Sequence, residues 1–266
     1  MMTDKLCFSG RIDVEENRFC ADDVLTMRLS CPGIGEKAEP GQFVMIRAAE
    51  VKSDDPLLPR PFSIHWADSE GFEIHYRIVG RGTRYLSQLS SGDQLYAYGP
   101  LGRGFIVEPG ENQLIVGGGM GVAPLLFLAG RIRTYLPDSR LQVVIGARCY
   151  SEITSKDRFN RLADKVRVAT EDGSLGIQGL VTDLLDHSAL KDCSHKVYSC
   201  GPMPMLKAVS QWCGGKGWRC QVSIETVMAC GIGACLGCVV EAGDDLDGRY
   251  LHVCSEGPVF DSSRLW

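Results

Sequence analysis

The sequence predicts an antiparallel β-barrel, then an α/β domain with a parallel sheet, then a small C-terminal module held together by a metal centre. Three observations carry that prediction. Short apolar runs separated by Gly/Pro turns fill residues 8–105, strand-like and helix-like runs alternate over 113–212, and four cysteines crowd into 230–254. The corresponding boundaries are 1–107, 108–222 and 223–266.

In the first segment, residues 43–47, 62–66, 72–79 and 94–98 are strand candidates. Between them lie the turn clusters Cys31-Pro32-Gly33, Glu39-Pro40-Gly41 and Ser90-Ser91-Gly92-Asp93. Strands at this spacing, closed by such turns, form barrels or sandwiches. Only 83–89 reads as helical there.

After the Gly99-Pro100-Leu101-Gly102-Arg103-Gly104 loop the pattern changes. Strand runs at 113–116, 141–145, 166–169 and 196–199 alternate with helical stretches near 123–135, 158–165, 180–185 and 204–212. Such alternation winds a parallel sheet with crossover helices. A fifth strand at 221–225 leads into the tail.

The first turn of this domain, Gly117-Gly118-Gly119-Met120-Gly121-Val122-Ala123-Pro124, follows a strand and opens a helix. Backbone N–H groups at such a helix start face an anion, and glycine removes side chains that would block a pyrophosphate. The string departs from G-x-G-x-x-G, so a plain strand-to-helix packing turn is the alternative. The choice between NAD and NADP stays open: Asp138 lies in a Pro-Asp-Ser loop, Glu171 and Asp172 follow the third strand, and Arg148 ends the second strand where a 2′-phosphate would lie.

The tail carries Cys230, Cys235, Cys238 and Cys254 in the order C-x4-C-x2-C-x15-C. The opening is the plant-type [2Fe–2S] spacing with thiolate ligands; only the gap to the fourth cysteine is short. Gly231, Gly233 and Gly237 stand between ligands, where a tight loop brings backbone N–H groups toward cluster sulfur. Zinc is the alternative, although a zinc site usually shows two close pairs. So short a tail buries little apolar surface unaided, which is why a metal centre is expected to hold it. The other eight cysteines, Cys7, Cys20, Cys31, Cys149, Cys193, Cys200, Cys213 and Cys220, lack metal spacing and read mostly as reduced packing residues.

Composition narrows the function classes. The formal net charge is −5 and no basic stripe exists, which argues against a broad nucleic-acid surface. The most apolar stretch, 122–129, is too short to span a bilayer, and Met1-Met2-Thr3-Asp4-Lys5 opens no secretory leader. The cytoplasm is therefore the expected compartment, with no membrane or nucleic-acid partner.

Two arginine-bearing strand ends complete the pattern. Arg60-Pro61-Phe62-Ser63 begins one strand, and Tyr76-Arg77-Ile78-Val79-Gly80-Arg81-Gly82-Thr83 ends another. Arginine with serine or threonine near a strand end can hold a diphosphate by charge-assisted hydrogen bonds.

In this order the motifs resemble the ferredoxin–NADP reductase superfamily, a flavin-binding barrel with R-x-[YF]-[ST] followed by a nicotinamide domain with a glycine-rich first turn and a C-G-P segment, here Cys200-Gly201-Pro202. The cluster loop and the Gly257-Pro258-Val259-Phe260 tail resemble, more narrowly, the electron-transfer subunits of class 1B dihydroorotate dehydrogenases. The resemblance implies that Arg60, Pro61, Phe62 and Ser63 line FAD, with Arg77, Ile78 and Val79 beside its adenine-diphosphate portion and Gly82 and Thr83 at its phosphates. It implies that Gly118, Gly119, Gly121 and Pro124 bed the nicotinamide dinucleotide. Cys200 would lie near the nicotinamide and flavin edge, either as a participant or as a buried packing residue.

The implied activity is electron transfer from the FMN of a catalytic dihydroorotate dehydrogenase subunit, through [2Fe–2S] and FAD, to NAD+, in pyrimidine (UMP) biosynthesis. The chain would not oxidise dihydroorotate alone, and the implied assembly is a heterotetramer with two copies of each subunit. Rival readings are a reductase subunit of a hydrogenase or sulfur-reducing complex, the small subunit of a bifurcating ferredoxin–NADP reductase, and a zinc-stabilised nucleotide-binding scaffold without turnover. The second rival is disfavoured if its first cluster ligand is an aspartate, because this chain has Cys230 there.

Overall fold

Six antiparallel strands close into the barrel that the turn spacing predicts, in the order β1-β2-β5-β4-β3-β6. They are β1 (Phe8–Ala21), β2 (Val24–Ser30), β3 (Phe43–Arg47), β4 (Arg60–Ala67), β5 (Gly71–Arg77) and β6 (Gln94–Leu101). The structure is a computed structural model and describes residues 8–48, 55–185, 195–243 and 249–266, so Cys7 and Cys193 lie outside the described residues. Leu25, Met27, Leu29, Val44, Met45, Ile46, Ile64, Phe72 and Ile74 are buried in the barrel unit. Each is apolar on a half-buried pleat, and together they supply the burial that closes the sheet.

Strands β1 and β2 have no counterpart among the sequence-based expectations. In β1 only Ile12 and Val14 turn fully inward, while Arg11, Asp13, Glu15 and Glu16 surround them. The apolar signal is thinned by charge, yet the partner strands β2 and β6 pair along most of its length. The short helix in this region is α2 (Arg81–Leu86), following α1 (Pro32–Gly35).

The register fixes which barrel residues share a rim. Ile46 pairs with Arg60 and Val44 with Phe62, while Ala67 at the other end of β4 pairs with Phe72. Antiparallel pairing therefore sets the start of β4 and the end of β5 at the same rim, where α2 follows.

The α/β part forms a seven-stranded sheet. In chain order its parallel strands are β7 (Asn112–Gly118), β8 (Arg140–Ala147), β9 (Lys165–Thr170), β10 (Ile177–Gln178), β11 (Lys196–Cys200) and β12 (Cys220–Ser223). They are ordered β10-β9-β8-β7-β11-β12. Leu114, Ile115 and Val116 in β7 and Val143, Val144 and Ile145 in β8 form continuous buried apolar runs, because helices cover such sheets on both faces. Helix α3 (Ala123–Tyr135) matches its expected bounds and is buried over Ala123, Pro124, Leu125, Leu126, Phe127, Leu128, Ala129 and Gly130.

Helix α4 (Lys156–Asn160) ends earlier than the pattern suggests. Asp164 is bound to β8 instead, since its N–H donates to Leu141 O at 2.9 Å and its carboxylate accepts the Leu141 N–H at 2.8 Å. The stretch 180–185 is a 3-10 turn, Val181–Leu184, closed by the Asp183 carboxylate accepting the Leu180 N–H at 2.8 Å. Helix α5 (Met203–Gly214) crosses from β11 to β12.

Strands β13 (Val239–Glu241) and β14 (Tyr250–His252) form a small ribbon, and α6 (Val253–Glu256) follows. The last strand, β15 (Val259–Asp261), pairs antiparallel with β12 and buries Phe260. The chain thus folds as two units. One comprises Met1–Gly104, Glu225–Val240 and Leu251–Pro258, and the other Phe105–Ile224, Glu241–Tyr250 and Val259–Trp266. All four cysteines of the cluster pattern belong to the barrel unit.

Candidate functional site

Cys230, Cys235 and Cys238 lie on a loop seated against the barrel, and Cys254, on α6, meets that loop through Gly233 and Cys238. Gly231 and Gly233 adopt left-handed φ values of 68° and 81°, and Leu236 does the same at 56°. These turns coil the loop so that its N–H groups meet sulfur. Gly233 N–H lies 3.2 Å from Cys254 Sγ, Cys235 N–H 3.4 Å from Cys230 Sγ, and Cys254 N–H 3.4 Å from Cys238 Sγ. The two halves of the cage are tied by Val253 N–H to Cys238 O at 2.8 Å.

The thiols are electrostatically suited to a cationic centre. Burial works to raise the Cys230 pKa, but N–H groups of Ile232, Cys235 and Ala234 and the Cys235 thiol bring it down to about 7. Cys254 is pushed up to about 12, first by burial and then by its hydrogen bond with Cys238 and that neighbour's charge. Adjacent thiolates that repel one another are relieved by bound iron, which deprotonates its thiol ligands outright. Among the described residues no group of three or more His, Cys, Asp or Glu side chains converges on a single-ion position. Four cysteines, three of whose sulfurs accept backbone N–H groups, fit a [2Fe–2S] cluster.

Two barrel residues invisible to the cysteine pattern seat this loop. Tyr98 on β6 donates its hydroxyl to Cys230 O at 2.9 Å, and burial pushes its phenol pKa up, so the donor proton is retained. A Cβ on Gly231 would stand 2.6 Å from Met45 Cγ, so the loop backbone lies directly on a β3 side chain. Only tertiary structure reveals either contact.

At the barrel rim, Arg60, Pro61, Ser63 and Arg77 are half-buried and Phe62 is buried edge-on against Tyr76, with ring centroids 5.9 Å apart. The Arg60 guanidinium is steadied by Leu58 O at 2.6 Å. Arg77 pairs with Asp23 at 3.3 Å, and Ile78 N–H donates to Asp23 O at 2.8 Å. The Thr83 hydroxyl accepts the N–H of Val79 at 2.9 Å, and a Cβ on Gly82 would crowd Ala48 Cβ at 3.2 Å. Val79 itself is 79% exposed, an apolar side chain at the rim with room for a ligand above it. Half-buried cations beside apolar and hydroxyl groups suit a flavin diphosphate.

The glycines of the first α/β turn do two different jobs. A Cβ on Gly121 would be 2.2 Å from Cys200 O, and one on Gly118 would be 2.4 Å from Met205 Sδ. Both positions serve close packing between the β7 and β11 turns. Gly119, at φ 52°, has nothing within 4 Å of its Cβ position and opens outward. Pro124 starts α3, where its missing N–H costs nothing. The Cys200 side chain is 1% exposed at the carboxyl end of β11.

Family models match two segments: residues 225–266 match the iron–sulfur cluster binding domain of dihydroorotate dehydrogenase B, and 115–211 an oxidoreductase NAD-binding domain. The dihydroorotate dehydrogenase B (NAD(+)) electron transfer subunit of Caldanaerobacter subterraneus subsp. tengcongensis is 40% identical over 93% of this chain and 94% of its own length. The chain belongs to this family of electron transfer subunits. The subunit of the same name from Desulforamulus reducens is 37% identical over 92% of this chain and 93% of its own. Among solved structures, an NADH-dependent reduced ferredoxin–NADP oxidoreductase aligns with a TM-score of 0.83 at 28% identity, over 96% of this chain and 89% of its own. The ferredoxin reductase of carbazole 1,9a-dioxygenase shares the fold, with a TM-score of 0.67 at 22% identity over 79% of this chain and 66% of its own. Family and structural neighbours support an oxidoreductase using FAD, an iron–sulfur cluster and NAD.

Proposed function

We propose that this chain carries electrons from the FMN of a catalytic dihydroorotate dehydrogenase subunit to NAD+, through a [2Fe–2S] cluster and FAD, in the cytoplasmic synthesis of pyrimidines. The observation that carries the reading is the cysteine cage, whose loop is uncharged from Val227 to Val240 and exposes Ile232 and Leu236. When bound, FAD exchanges a hydride with nicotinamide and single electrons with the cluster, so the cofactors supply the chemistry and the protein supplies orientation and potential.

Within that scheme Arg60, Ser63 and Thr83 hold the flavin diphosphate end, while Pro61, Phe62, Arg77, Ile78 and Val79 line its flanks and Gly82 admits its phosphates. Gly119 faces the pyrophosphate of the dinucleotide, and Gly118, Gly121 and Pro124 keep that turn close to β11. Cys200 acts by packing beneath the turn, since its side chain is buried and its carbonyl is what Gly121 accommodates. No protein acid or base is needed for hydride transfer between stacked rings.

Ile232 and Leu236, 53% and 62% exposed, flank the ligands on the loop. An apolar surface at a redox centre suits docking of the catalytic subunit, in a heterotetramer with two copies of each chain. Cys235→Ser tests the relay. The variant complex should retain FAD and its reduction by NADH but lose the cluster absorption and dihydroorotate-dependent NAD+ reduction. Undiminished dihydroorotate-dependent turnover without the cluster would sink the relay. Turnover with reduced ferredoxin in place of dihydroorotate would favour the neighbour's type of activity, and a colourless zinc-bound protein a scaffold.

A further inference from the structure

The second strand of the α/β unit ends in a charge arrangement that bears on which nicotinamide dinucleotide is accepted. In a sheet of this kind the pyrophosphate lies at the first turn and the adenosine ribose at the end of the neighbouring strand, where an acid accepts the 2′-hydroxyl or an arginine meets a 2′-phosphate. Strand β8 neighbours β7 on the side away from β11. Arg148 follows it immediately.

Arg148 is engaged by one residue four positions on. The Glu152 carboxylate accepts the Arg148 backbone N–H at 3.2 Å and Nε at 3.0 Å, with Nη2 in close contact as well. The turn Tyr150–Glu152 folds the carboxylate back, leaving its side chain 12% exposed while the guanidinium side chain is 72% exposed. The segment after β9 is tied to this strand end by its backbone: Glu171 N–H donates to Ala147 O at 3.1 Å and Asp172 N–H to Arg148 O at 3.2 Å. Asp172 is fixed in turn by Ser174, whose hydroxyl accepts the Tyr150 N–H at 2.7 Å. One guanidinium is therefore held by the Glu152 carboxylate, and the Glu171 charge acts on it as well.

We propose that Glu152, by its hold on Arg148, makes this unit selective for NAD(H) and rejects the 2′-phosphate of NADP(H). This deepens the reading of the second unit as a nicotinamide dinucleotide site and rests on it. A free ribose hydroxyl can donate to a carboxylate at this strand end. A phosphate dianion meets like charge, and the arginine that would receive it is already neutralised at two nitrogens. The arrangement holds a latent NADP site closed by a single side chain.

The test uses the full chain with its cofactors, titrated calorimetrically at fixed ionic strength with 5′-AMP and with adenosine 2′,5′-bisphosphate. The unaltered chain should bind 5′-AMP and bind the bisphosphate more weakly. Glu152→Gln and Glu152→Ala should each strengthen bisphosphate binding about tenfold while leaving 5′-AMP within about twofold, the size expected for one charge removed near the ligand. Adding Arg148→Ala to Glu152→Gln should cancel the gain. A gain that survives loss of Arg148, or no gain in either Glu152 variant with 5′-AMP still bound, overturns the proposal. Failure of the unaltered chain to bind either probe would instead remove the nucleotide site, and the inference with it.

Discussion

Gly231→Ala probes whether the cluster cage depends on its seat on the barrel. The residue has a φ of 68°, where a Cβ costs roughly 1–2 kcal/mol. That Cβ would also lie 2.6 Å from Met45 Cγ, 2.8 Å from Met45 Sδ and 3.3 Å from Leu101 Cδ1. Met45 is flexible but fully buried on β3, so it has little room to yield, and overpacking of this kind costs about 1–3 kcal/mol. Together these give about 2–5 kcal/mol against the seated loop, or at least about thirtyfold on its closing equilibrium. The assay is the rate at which the cluster absorption bleaches in excess chelator under anaerobic conditions, with FAD content measured on the same sample. Bleaching should quicken while FAD stays bound. Met45→Ala in the Gly231→Ala background should restore the steric part only, leaving a residual effect from φ. A Gly231→Ala protein that bleaches no faster than the parent would refute the claim that this contact seats the cage.

Two further outcomes follow from the proposed sites. Arg60→Ala should weaken FAD retention about ten- to hundredfold, the range for losing a charge-assisted hydrogen bond, and purified protein should regain activity when FAD is added; full FAD occupancy after purification would assign Arg60 a purely structural role. Leu236→Glu should break co-elution of the chain with its catalytic subunit on size-exclusion chromatography, because a charge is placed in an apolar contact. Leu236 already holds a φ of 56°, so glutamate adds little new backbone strain, and unchanged co-elution with full dihydroorotate-dependent turnover would locate the interface elsewhere.

The elements that could be read directly are those whose signal is local. Strand β3 and helix α3 match their expected bounds because each is an almost uninterrupted apolar run. The cysteine spacing likewise announces a cage before any fold is known. Strand β1 escapes because its inward residues are outnumbered by charges that face solvent, and β15 escapes because three residues carry no period. What makes β15 a strand is β12, which lies far back in the chain. The same holds for the cage: its ligands are local in sequence, but Met45 and Tyr98, against which it is set, come from strands that no spacing rule connects to it.

The glycine turn after β7 shows why composition alone could not resolve the nucleotide site. Read as a string, Gly118, Gly119 and Gly121 are equivalent candidates for a phosphate. In the fold they separate, because Gly118 and Gly121 face Met205 and Cys200 O, whereas Gly119 faces open space. Glycine enrichment there reflects two pressures, the close crossing of two strand ends and the approach of a ligand, and only geometry divides them. The same division applies at Arg148, which looks like a phosphate ligand until the Glu152 carboxylate is found on it. A cation is a binding group only to the extent that the fold leaves its charge uncompensated, and here the compensating residue is set by the turn that follows β8.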